Sequence, residues 1–440
     1  MSPLPLRSLA LTVSLFLGSS ALAAEAPPSS SRGTVEVPMD HRQPKGPRRA
    51  IAYERFGEAG AGKKPLLVLH GGPGRPIANA AAFLDTLPVG APLRAHYDIV
   101  FFDQRGAGAS LLPEEKDAAY VKRHAQRYTT QQYVEDVEAL RVALFGRERK
   151  VTVLGSSWGG FLGLEYVLRH PEAVEAVMLG SFESTGRSTG DICTGFDRVL
   201  TAAEQQHAGV GRALARFREA AAGGKLVWHE GKADAKPVRL TDVIGLALPY
   251  AMKARHDELT QVLTQVVDGT PEGRALIDGL EPGADVTVEL GGSLPGHATY
   301  CQELMSTAYA RHLAEEPPAT LYCDNRAFAR GLMKTCEGFR PRARFHDHGP
   351  KLANIRVPTL VLAGAKDPIT PWEPSARTAA LIPGATFVLI DGGHSPFKEG
   401  GTCLANVVDR FARGERTFDL ECFRPRAEAA APAAGGAKGS

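Results

Sequence analysis

One serine in the chain has neighbours that would expose and activate its hydroxyl group. Ser157 is the central residue of a G-x-S-x-G pattern at 155–159, which directly follows an apolar run at 150–154 and precedes a helical stretch. Glycines on both sides of a serine allow the tight strand-to-helix turn that presents such a hydroxyl. A glycine- and serine-rich turn without chemistry has the same composition, but the two flanking elements favour a nucleophile at Ser157.

A serine hydroxyl is a weak nucleophile, so it needs a base that removes its proton and a carboxylate that orients this base. Asp367 directly follows one apolar run, and His394 follows another run and a Gly-Gly turn. Both come later in the chain than Ser157, in the order serine, acid, histidine. Asp391 is a competing carboxylate, but its closeness to His394 along the chain makes it the poorer third member. The sequence predicts Ser157, Asp367 and His394 as a catalytic triad.

A glycine-rich segment, His-Gly-Gly-Pro-Gly at 70–74, follows the first fully apolar run of the chain. The negative oxygen of a tetrahedral intermediate needs two N–H donors, one from the residue after the nucleophile and one from a loop after an early strand. These donors would be Trp158 and Gly72, with Gly71 as the alternative. A phosphate-binding loop is the rival interpretation, but no Gly-Lys-Ser/Thr follows the glycines. The segment therefore predicts an oxyanion hole.

The candidate residues lie at the ends of short apolar runs that alternate with amphipathic stretches. Continuous apolar runs predict a mostly parallel sheet with helices on both faces, an α/β fold. The predicted strands are 65–69, 98–102, 150–154, 173–179, 358–363 and 386–390. Two earlier runs, 34–37 and 50–55, flank a proline-containing turn and predict an antiparallel hairpin. Helical periodicity is present at 131–144, through 157–168 and at 404–413.

The alternation of strands and helices stops between about 182 and 350. Residues 196–221 and 257–267 have helical patterns there, with glycine- and proline-rich loops at 268–273 and 291–296. A segment this long is not expected to be a structureless loop in a compact domain. We interpret 182–350 as a mainly helical cap insertion over the carboxyl edge of the sheet, where open α/β folds bind ligands. The core would then consist of 34–181 and 351–425.

The two ends of the chain carry no predicted chemistry. Residues 1–23 combine an arginine, a short apolar core and an Ala-x-Ala pattern, which predict a signal peptide and hence a secreted or periplasmic protein. We expect a flexible lead-in at 24–33 and a disordered tail, rich in alanine and glycine, at 426–440. No later run reaches the ~20 apolar residues of a membrane helix, so we expect a soluble protein that does not bind a membrane.

Composition restricts the partners and cofactors. The chain has 440 residues and a formal net charge of +2, which gives no electrostatic reason to expect nucleic acid. Its six cysteines include no C-x-x-C pair, so in an exported protein disulfides are a better interpretation than zinc. We expect no metal and no other cofactor. Spacing alone does not choose among the possible cysteine pairings.

Three motifs together resemble the proline iminopeptidase and tripeptidyl aminopeptidase family of α/β-hydrolases. They are His-Gly-Gly-Pro-Gly at 70–74, Asp-Gln-Arg-Gly at 103–106 and Gly-Ser-Ser-Trp-Gly-Gly at 155–160. Residues 35–40 and 367–371 and the surroundings of Cys403 and Cys422 are most similar to the secreted tripeptidyl aminopeptidase branch. The resemblance covers about 34–181 and 355–422 and extends only loosely to the insertion.

The resemblance implies an enzyme that removes residues from a free peptide N-terminus, prolyl in one branch and tripeptides in the other. Such an enzyme needs a carboxylate to pair with the substrate ammonium. Glu303 is similar in placement to the residue that supplies it in relatives, and Glu337 is the second candidate. An ordinary solvated or ion-paired glutamate is the alternative for both. The Trp-Glu pair associated with the prolyl branch is not evident, so the branch stays open.

The resemblance also implies structural roles for other side chains. It implies that Arg105 packs and forms hydrogen bonds beneath the site. It implies three disulfides: Cys403–Cys422, Cys301–Cys336 and, by what remains, Cys193–Cys323.

The same triad also serves other classes of protein. Esterases and amidases use it with a cap in which an apolar surface replaces the amine-binding carboxylate. An epoxide hydrolase or dehalogenase would have aspartate at the position of Ser157, and non-catalytic binding proteins on this scaffold usually lose part of the triad. We therefore expect a serine aminopeptidase whose partner is a peptide with a free N-terminus. The sequence leaves the oligomeric state open.

Overall fold

Each apolar run that was predicted to be a strand overlaps a strand of the central sheet. The strands are β1 (Ser30–Pro38), β2 (Arg48–Phe56), β3 (Lys64–Leu69), β4 (Tyr97–Phe102), β5 (Val151–Ser156), β6 (Val174–Gly180), β7 (Val227–Trp228), β8 (Lys236–Pro237), β9 (Thr359–Gly364) and β10 (Thr386–Ile390). Eight of them form one sheet in the order β1-β2-β4-β3-β5-β6-β9-β10, and β7 and β8 form a separate pair.

The computed structural model describes most of the core and part of the predicted insertion. The described residues are 30–57, 62–77, 79–182, 189–251, 255–279, 292–304, 321–322, 336–339 and 348–424. The predicted signal peptide at 1–23 and the predicted tail at 426–440 lie outside these ranges. Within them, no helix combines the length and the apolar character needed to cross a bilayer.

The described helices are grouped by their place in the chain: before β6, between β6 and β9, and after β9. The first group is α1 (Ala80–Thr86), α2 (Gly90–His96), α3 (Ala118–Arg123), α4 (Thr130–Phe145) and α5 (Trp158–Arg169). The second is α6 (Thr189–Gln206), α7 (Ala208–Ala222), α8 (Val243–Ala251), α9 (His256–Asp268), α10 (Pro271–Asp278) and α11 (Leu294–Thr299). The short helix α12 (Gly349–Leu352) also precedes β9, and α13 (Trp372–Leu381), α14 (Pro396–Glu399) and α15 (Gly401–Ala412) follow it.

The sheet has the mixed architecture that the apolar runs predict. Strands β3, β4, β5, β6, β9 and β10 pair in parallel, whereas β1 pairs antiparallel with β2 and β2 with β4. The predicted fold class is therefore confirmed. Strand β1 begins earlier than predicted, at Ser30, because its pairing with β2 continues to the register Ser30 opposite Phe56.

Side-chain alternation along the strands explains why both faces of the sheet are buried. In β3, Leu67 and Leu69 belong to a core cluster with residues of α4 and α5. The intervening Leu66 and Val68 face the opposite side, in a cluster with residues of α1, α2 and α15. Successive strand residues point to opposite faces, so a strand covered by helices on both sides must be apolar throughout.

The segment between β6 and β9 has a hydrophobic cluster of its own. Helices α7 and α9 contribute Leu214, Phe217, Leu259 and Leu263, which are all essentially inaccessible to solvent. In the described part of this segment the predicted helical character is confirmed, with a break at His207 between α6 and α7. Helices α10 and α11 begin inside the two predicted loops. Pro271 is the first residue of α10 and Pro295 the second of α11, where the missing N–H costs no hydrogen bond.

A buried ion pair joins the segment after β4 to helix α4. Arg105 is fully buried and donates to both carboxylate oxygens of Asp136, each at 2.6 Å, and to the carbonyl oxygens of Met39 and Arg127. His41 Nε2 lies 2.7 Å from the same carboxylate. Burial alone would raise the pKa of Asp136, but the charge of Arg105 and its hydrogen bonds hold this pKa below its usual value. The structural role expected for Arg105 is confirmed.

Replacement of Asp136 by asparagine would leave the Arg105 guanidinium buried without its counter-charge. We expect Asp136→Asn to lower the free energy of unfolding by about 3–5 kcal/mol at neutral pH, measured by urea unfolding. Because the pKa of Asp136 is depressed, its contribution is present above the ordinary pKa of 3.8 and is lost as the pH falls toward the folded-state value. Glu230→Gln, at the exposed pair with Arg274, is the control and should cost less than about 1 kcal/mol. Equal losses in the two variants would contradict the prediction.

Candidate active site

The turn between β5 and α5 holds Ser157 in an unusual backbone conformation. Ser157 has φ 54°, a value that is uncommon for a residue other than glycine. A Cβ atom at Gly159 would overlap the carbonyl oxygen of Leu69, and one at Gly155 would overlap that of Gly159. The two glycines of the motif are therefore required because helix α5 approaches the sheet so closely. This geometry is that of a partly exposed serine at a strand-to-helix turn.

The glycine-rich loop at 70–74 lies directly against Ser157. A Cβ atom at Gly71 would lie 2.8 Å from the Cβ and 3.4 Å from the Oγ of Ser157, so only glycine fits there. Gly72 has φ 65°, which also favours glycine. Trp158 is the first residue of α5, where a backbone N–H has no acceptor within the helix. Trp158 therefore directly follows the serine in the chain, and Gly71, which precedes Gly72 in the loop, packs against the serine side chain.

The Asp-Gln-Arg-Gly motif at 103–106 holds this loop through side-chain hydrogen bonds. Gln104 donates its Nε2 proton to the carbonyl oxygen of His70 at 3.0 Å and accepts from the N–H of Gly74 at 3.4 Å. Asp103 accepts from the N–H of Ile77 at 2.8 Å, just beyond the loop. The motif thus holds the two ends of the glycine-rich loop through side-chain contacts.

Asp367 and His394 form a hydrogen-bonded pair. His394 Nδ1 lies 2.8 Å from Oδ2 of Asp367, which is 1% exposed. Thr370 donates its hydroxyl to the same oxygen at 2.6 Å and its N–H to Oδ1 at 3.0 Å. Burial alone would raise the pKa of Asp367, but the charge of His394 and the hydrogen bonds from His394 and Thr370 keep this pKa below its usual value. The pair can therefore stabilise a protonated imidazole.

The competing carboxylate has a different environment. Asp391 is 71% exposed at its side chain and forms an ion pair with Lys366, with Nζ and Oδ1 2.7 Å apart. Its contact is thus with a partly exposed lysine, whereas Asp367 is buried behind the imidazole. The geometry agrees with the choice of Asp367 over Asp391.

Backbone hydrogen bonds join the strand ends that carry the three residues. In the sheet order, β5, β6, β9 and β10 are consecutive neighbours, so their carboxyl ends meet at one edge. The bonds run from Ser157 N–H to Gly180 O at 2.9 Å, from Ser181 N–H to Leu362 O at 2.9 Å, and from Ala365 N–H to Ile390 O at 2.8 Å. The serine and the loops of the acid and the histidine therefore share the edge at which such sheets bind ligands.

The two glutamates suggested for amine binding lie in different surroundings. Glu303 is 8% exposed and lies in a single π-helical turn, Tyr300–Leu304. Its Oε2 accepts the N–H of Thr130 at 2.7 Å and also the Thr130 hydroxyl. Glu337 is exposed, and its carbonyl oxygen accepts from Lys122 Nζ at 3.3 Å. Of these two glutamates, only Glu303 is buried.

Glu303 is connected to the nucleophile through a short series of contacts. Thr299, one turn before Glu303, donates to the hydroxyl of Tyr133 at 3.1 Å. The Tyr133 ring meets the ring of Trp158 edge to face, with centroids 6.2 Å apart. The turn that carries Glu303 therefore rests on the residue that follows Ser157.

Sequence reasoning missed Thr370, Tyr133 and Glu399. Thr370 follows Asp367 at a spacing at which a hydroxyl can hydrogen-bond a preceding aspartate, and this spacing could have indicated it. Tyr133 is one of several buried apolar positions of α4 and carries no distinguishing signal. Glu399 bonds the N–H of Gly393, next to His394, from a separate short helix.

Cysteine pairing in the described residues follows the resemblance. Disulfides join Cys301 to Cys336 and Cys403 to Cys422, with Cα atoms 5.1 and 6.2 Å apart. These two pairings are confirmed. Cys193 is also disulfide-bonded, but Cys323, its expected partner, lies outside the described residues. Within the described ranges, no group of three potential metal-ligating side chains is close enough to hold an ion.

Comparison with protein families agrees with this geometry. The family described as alpha/beta hydrolase fold matches residues 64–188 and 292–401, which together make up more than half of the chain. The matched ranges include Ser157, Asp367 and His394. The chain therefore belongs to the alpha/beta hydrolase family.

Curated relatives add a more specific similarity over part of the chain. The proline iminopeptidase of Lactobacillus helveticus is 38% identical over 120 residues, which are 27% of this chain and 36% of that protein. That of Xylella fastidiosa is 39% identical over 139 residues, which are 30% of this chain and 36% of that protein. The chain thus spans little more than a third of the length of these relatives. The resemblance to proline iminopeptidases is confirmed over that stretch.

Solved structures are more distant. A hydrolase from Pseudomonas aeruginosa aligns over 83% of this chain and 95% of that chain, with 18% identity and a TM-score of 0.41. Similarity at this level supports no argument about the site.

Because α5 lies so close to the sheet, a methyl group added at Gly159 should destabilise the protein. We expect Gly159→Ala to lower the free energy of unfolding by about 1–3 kcal/mol or more, because the new Cβ would push α5 away from Leu69. Gly279→Ala is the matched control, since a Cβ there would make only ordinary contacts, the nearest at 3.4 Å. Thermal unfolding followed by circular dichroism measures both. A Gly159→Ala protein as stable as the control would contradict the close packing.

Proposed function

We propose that the protein is an exported serine aminopeptidase that releases N-terminal residues, prolyl or tripeptidyl, from peptides. The single observation that carries the proposal is the buried Asp367–His394 hydrogen bond at the sheet edge that also carries the Ser157 turn. The similarity to proline iminopeptidases supports a peptide substrate with a free N-terminus. The disulfides support an oxidising compartment, and hence export.

The proposed reaction proceeds through an acyl-enzyme. Ser157 Oγ attacks the carbonyl carbon of the scissile amide while His394 accepts the hydroxyl proton, and Asp367 stabilises the imidazolium that forms. The N–H groups of Trp158 and Gly72, or of Gly71 in its place, bind the negative oxygen. His394 then gives the proton to the leaving amine, and the C–N bond breaks. Water, deprotonated by His394, hydrolyses the ester and regenerates Ser157.

Recognition of the substrate ammonium is assigned to Glu303. A desolvated cation requires a paired anion, and Glu303 is a buried carboxylate on a turn that rests on Trp158 through Tyr133. Glu337 is the weaker candidate because water competes for an exposed carboxylate. In this proposal residues 182–350 form a cap and 34–181 with 351–425 form the core. Support comes from the separate hydrophobic cluster of the described helices between β6 and β9.

A second candidate function is that of an esterase or amidase that acts on small non-peptide substrates. One observation favours it: Oε2 of Glu303 already accepts two hydrogen bonds from Thr130, at the start of α4. Helix α4 has no side-chain cap of its own at Thr129, so Glu303 could serve to cap this helix. A glutamate with only that role would leave the site without amine recognition.

The triad is tested by three substitutions at two carboxylates and the serine. We expect Ser157→Ala to abolish fluorophosphonate labelling and to reduce kcat by several orders of magnitude, with folding unchanged. Asp367→Asn should reduce kcat by about 10⁴-fold, because the amide would favour the wrong tautomer of His394. Asp391→Asn is the matched control and should retain full activity. Activity of more than a few per cent in the alanine variant, or loss only in Asp391→Asn, would refute the assignment.

Amine recognition is tested by comparing a charged substrate with a neutral one. We expect Glu303→Gln to lower kcat/KM for a peptide by about 10- to 150-fold, since a charge-assisted hydrogen bond contributes about 1.5–3 kcal/mol. Hydrolysis of a neutral ester by the same variant should hardly change, which also verifies that the protein is folded. Glu337→Gln serves as the control at an exposed carboxylate.

Acetylation of the peptide removes the charge from the other side of the proposed contact. It should lower turnover by the wild-type protein as much as the Glu303→Gln substitution does, and it should add nothing in that variant. An acetylated peptide cleaved as fast as the free peptide would refute the aminopeptidase proposal and favour the esterase or amidase.

A further inference from the structure

A second carboxylate contacts the turn that carries His394. Glu399 is the last residue of α14, and its Oε2 accepts a hydrogen bond from the N–H of Gly393. Its side chain also lies against Gly392, where a Cβ atom would come within 2.9 Å of the Glu399 Cβ. The two glycines before His394 are therefore packed against this glutamate.

The opposite side of the same turn is fixed by strand β9. A Cβ atom at Gly364 would overlap the carbonyl oxygens of both Gly392 and Gly393. The N–H of Lys366 donates to the carbonyl oxygen of Gly392 at 2.8 Å. The Gly-Gly turn is thus held between the end of β9 on one side and Glu399 on the other. Without the glutamate, only one side of this glycine pair would be fixed.

Glu399 interacts electrostatically with both Asp367 and His394. Burial raises the pKa of Glu399 above its usual value, the N–H of Gly393 opposes this effect, and the charge of Asp367 adds to it. The charges of His394 and Lys398 act in the opposite direction, to lower the pKa of Glu399. By reciprocity, an ionised Glu399 favours the protonated form of His394. The mechanism above assigns no role to this carboxylate.

We propose that Glu399 is a positioning residue: by binding the N–H of Gly393 it fixes the backbone before His394 and keeps the imidazole aligned between Asp367 and Ser157. The proposal rests on the function proposed above, in which His394 is the base. Glycine pairs are flexible, and a base displaced by about 1 Å can lose roughly 100-fold in rate. A hydrogen bond from outside the triad therefore has a direct effect on the geometry of the reaction.

Two substitutions separate the hydrogen bond from the charge. Glu399→Gln keeps an acceptor oxygen for Gly393 without the charge, whereas Glu399→Ala removes both. We expect the alanine variant to lose about 10- to 100-fold in kcat with little change in KM, and the glutamine variant to recover most of this loss. Asp391→Asn, a carboxylate beside the same turn that pairs with Lys366, is the matched control and should behave like the wild type.

The pH profile separates the charge of Glu399 from its hydrogen bond. Both Glu399 variants remove a negative charge near His394, so the acid limb of kcat/KM should shift to lower pH. An alanine variant with wild-type kcat, or a glutamine variant as slow as the alanine variant, each measured on the plateau above the acid limb, would overturn the proposal. Thermal unfolding of the glutamine variant verifies that the comparison is made on folded protein.

Fluorophosphonate labelling distinguishes failure of this proposal from failure of the proposed function. If Ser157 is labelled equally fast in the wild-type protein and in Glu399→Ala, the positioning role of Glu399 is wrong, while the proposal of a serine hydrolase stands. If the wild-type protein is not labelled at Ser157 at all, the proposed function itself fails. Slower labelling in the alanine variant, recovered in the glutamine variant, is the result that we expect.

Discussion

The backbone of Ser157 is the constraint on which the arrangement of the site depends. A non-glycine residue at φ 54° costs roughly 1–3 kcal/mol, and such a conformation persists only where its surroundings over-determine it. Here the N–H of Ser157 is held by Gly180 at the end of β6, and the glycine at 159 lets α5 touch β3. The same closeness brings Gly71 against the serine side chain. One strained residue thus fixes the relative positions of the strand end, the helix start and the glycine-rich loop.

Buried ion pairs also hold the loops around the site in place. Arg49 pairs with Glu115, and Arg105 with Asp136, with almost no exposure to solvent. Taking such charges out of water is costly, so buried pairs are weak evidence for stability and are better explained by the segments that they hold. The Arg49 pair joins β2 to the segment after β4. Arg105, in that same segment, pairs with α4 and also donates to the carbonyl oxygen of Met39, in the turn that follows β1. That segment contains Gln104, which fixes the glycine-rich loop through His70. The N-terminal hairpin therefore stabilises the site without contributing a residue to it.

The sequence predicted what is determined locally and missed what depends on distant contacts. Short apolar runs predicted the strands, and the adjacent glycines predicted the serine turn. Asp367 and His394 were identified because each follows such a run and because they come after Ser157 in the chain. Glu399 and Tyr133 lack such a signal, because a glutamate on a short helix and an aromatic residue on α4 are ordinary in sequence. The contact of Glu303 with Thr130 spans 173 residues of chain, and no local pattern encodes it. Placement of Glu303 near the core could be inferred only from the resemblance.

The contact between Glu303 and Thr130 does not by itself oppose an amine-binding role. An ionised carboxylate has about four acceptor sites, so hydrogen bonds from one threonine do not saturate it. A carboxylate whose orientation is already fixed loses less entropy when it binds a cation, so the contact is compatible with recognition. Glu303 is also linked to Trp158 through Thr299 and Tyr133, so a substrate held there would be aligned with the serine. Loss of an aligning contact acts on kcat as well as on KM, whereas loss of a helix cap acts on stability alone.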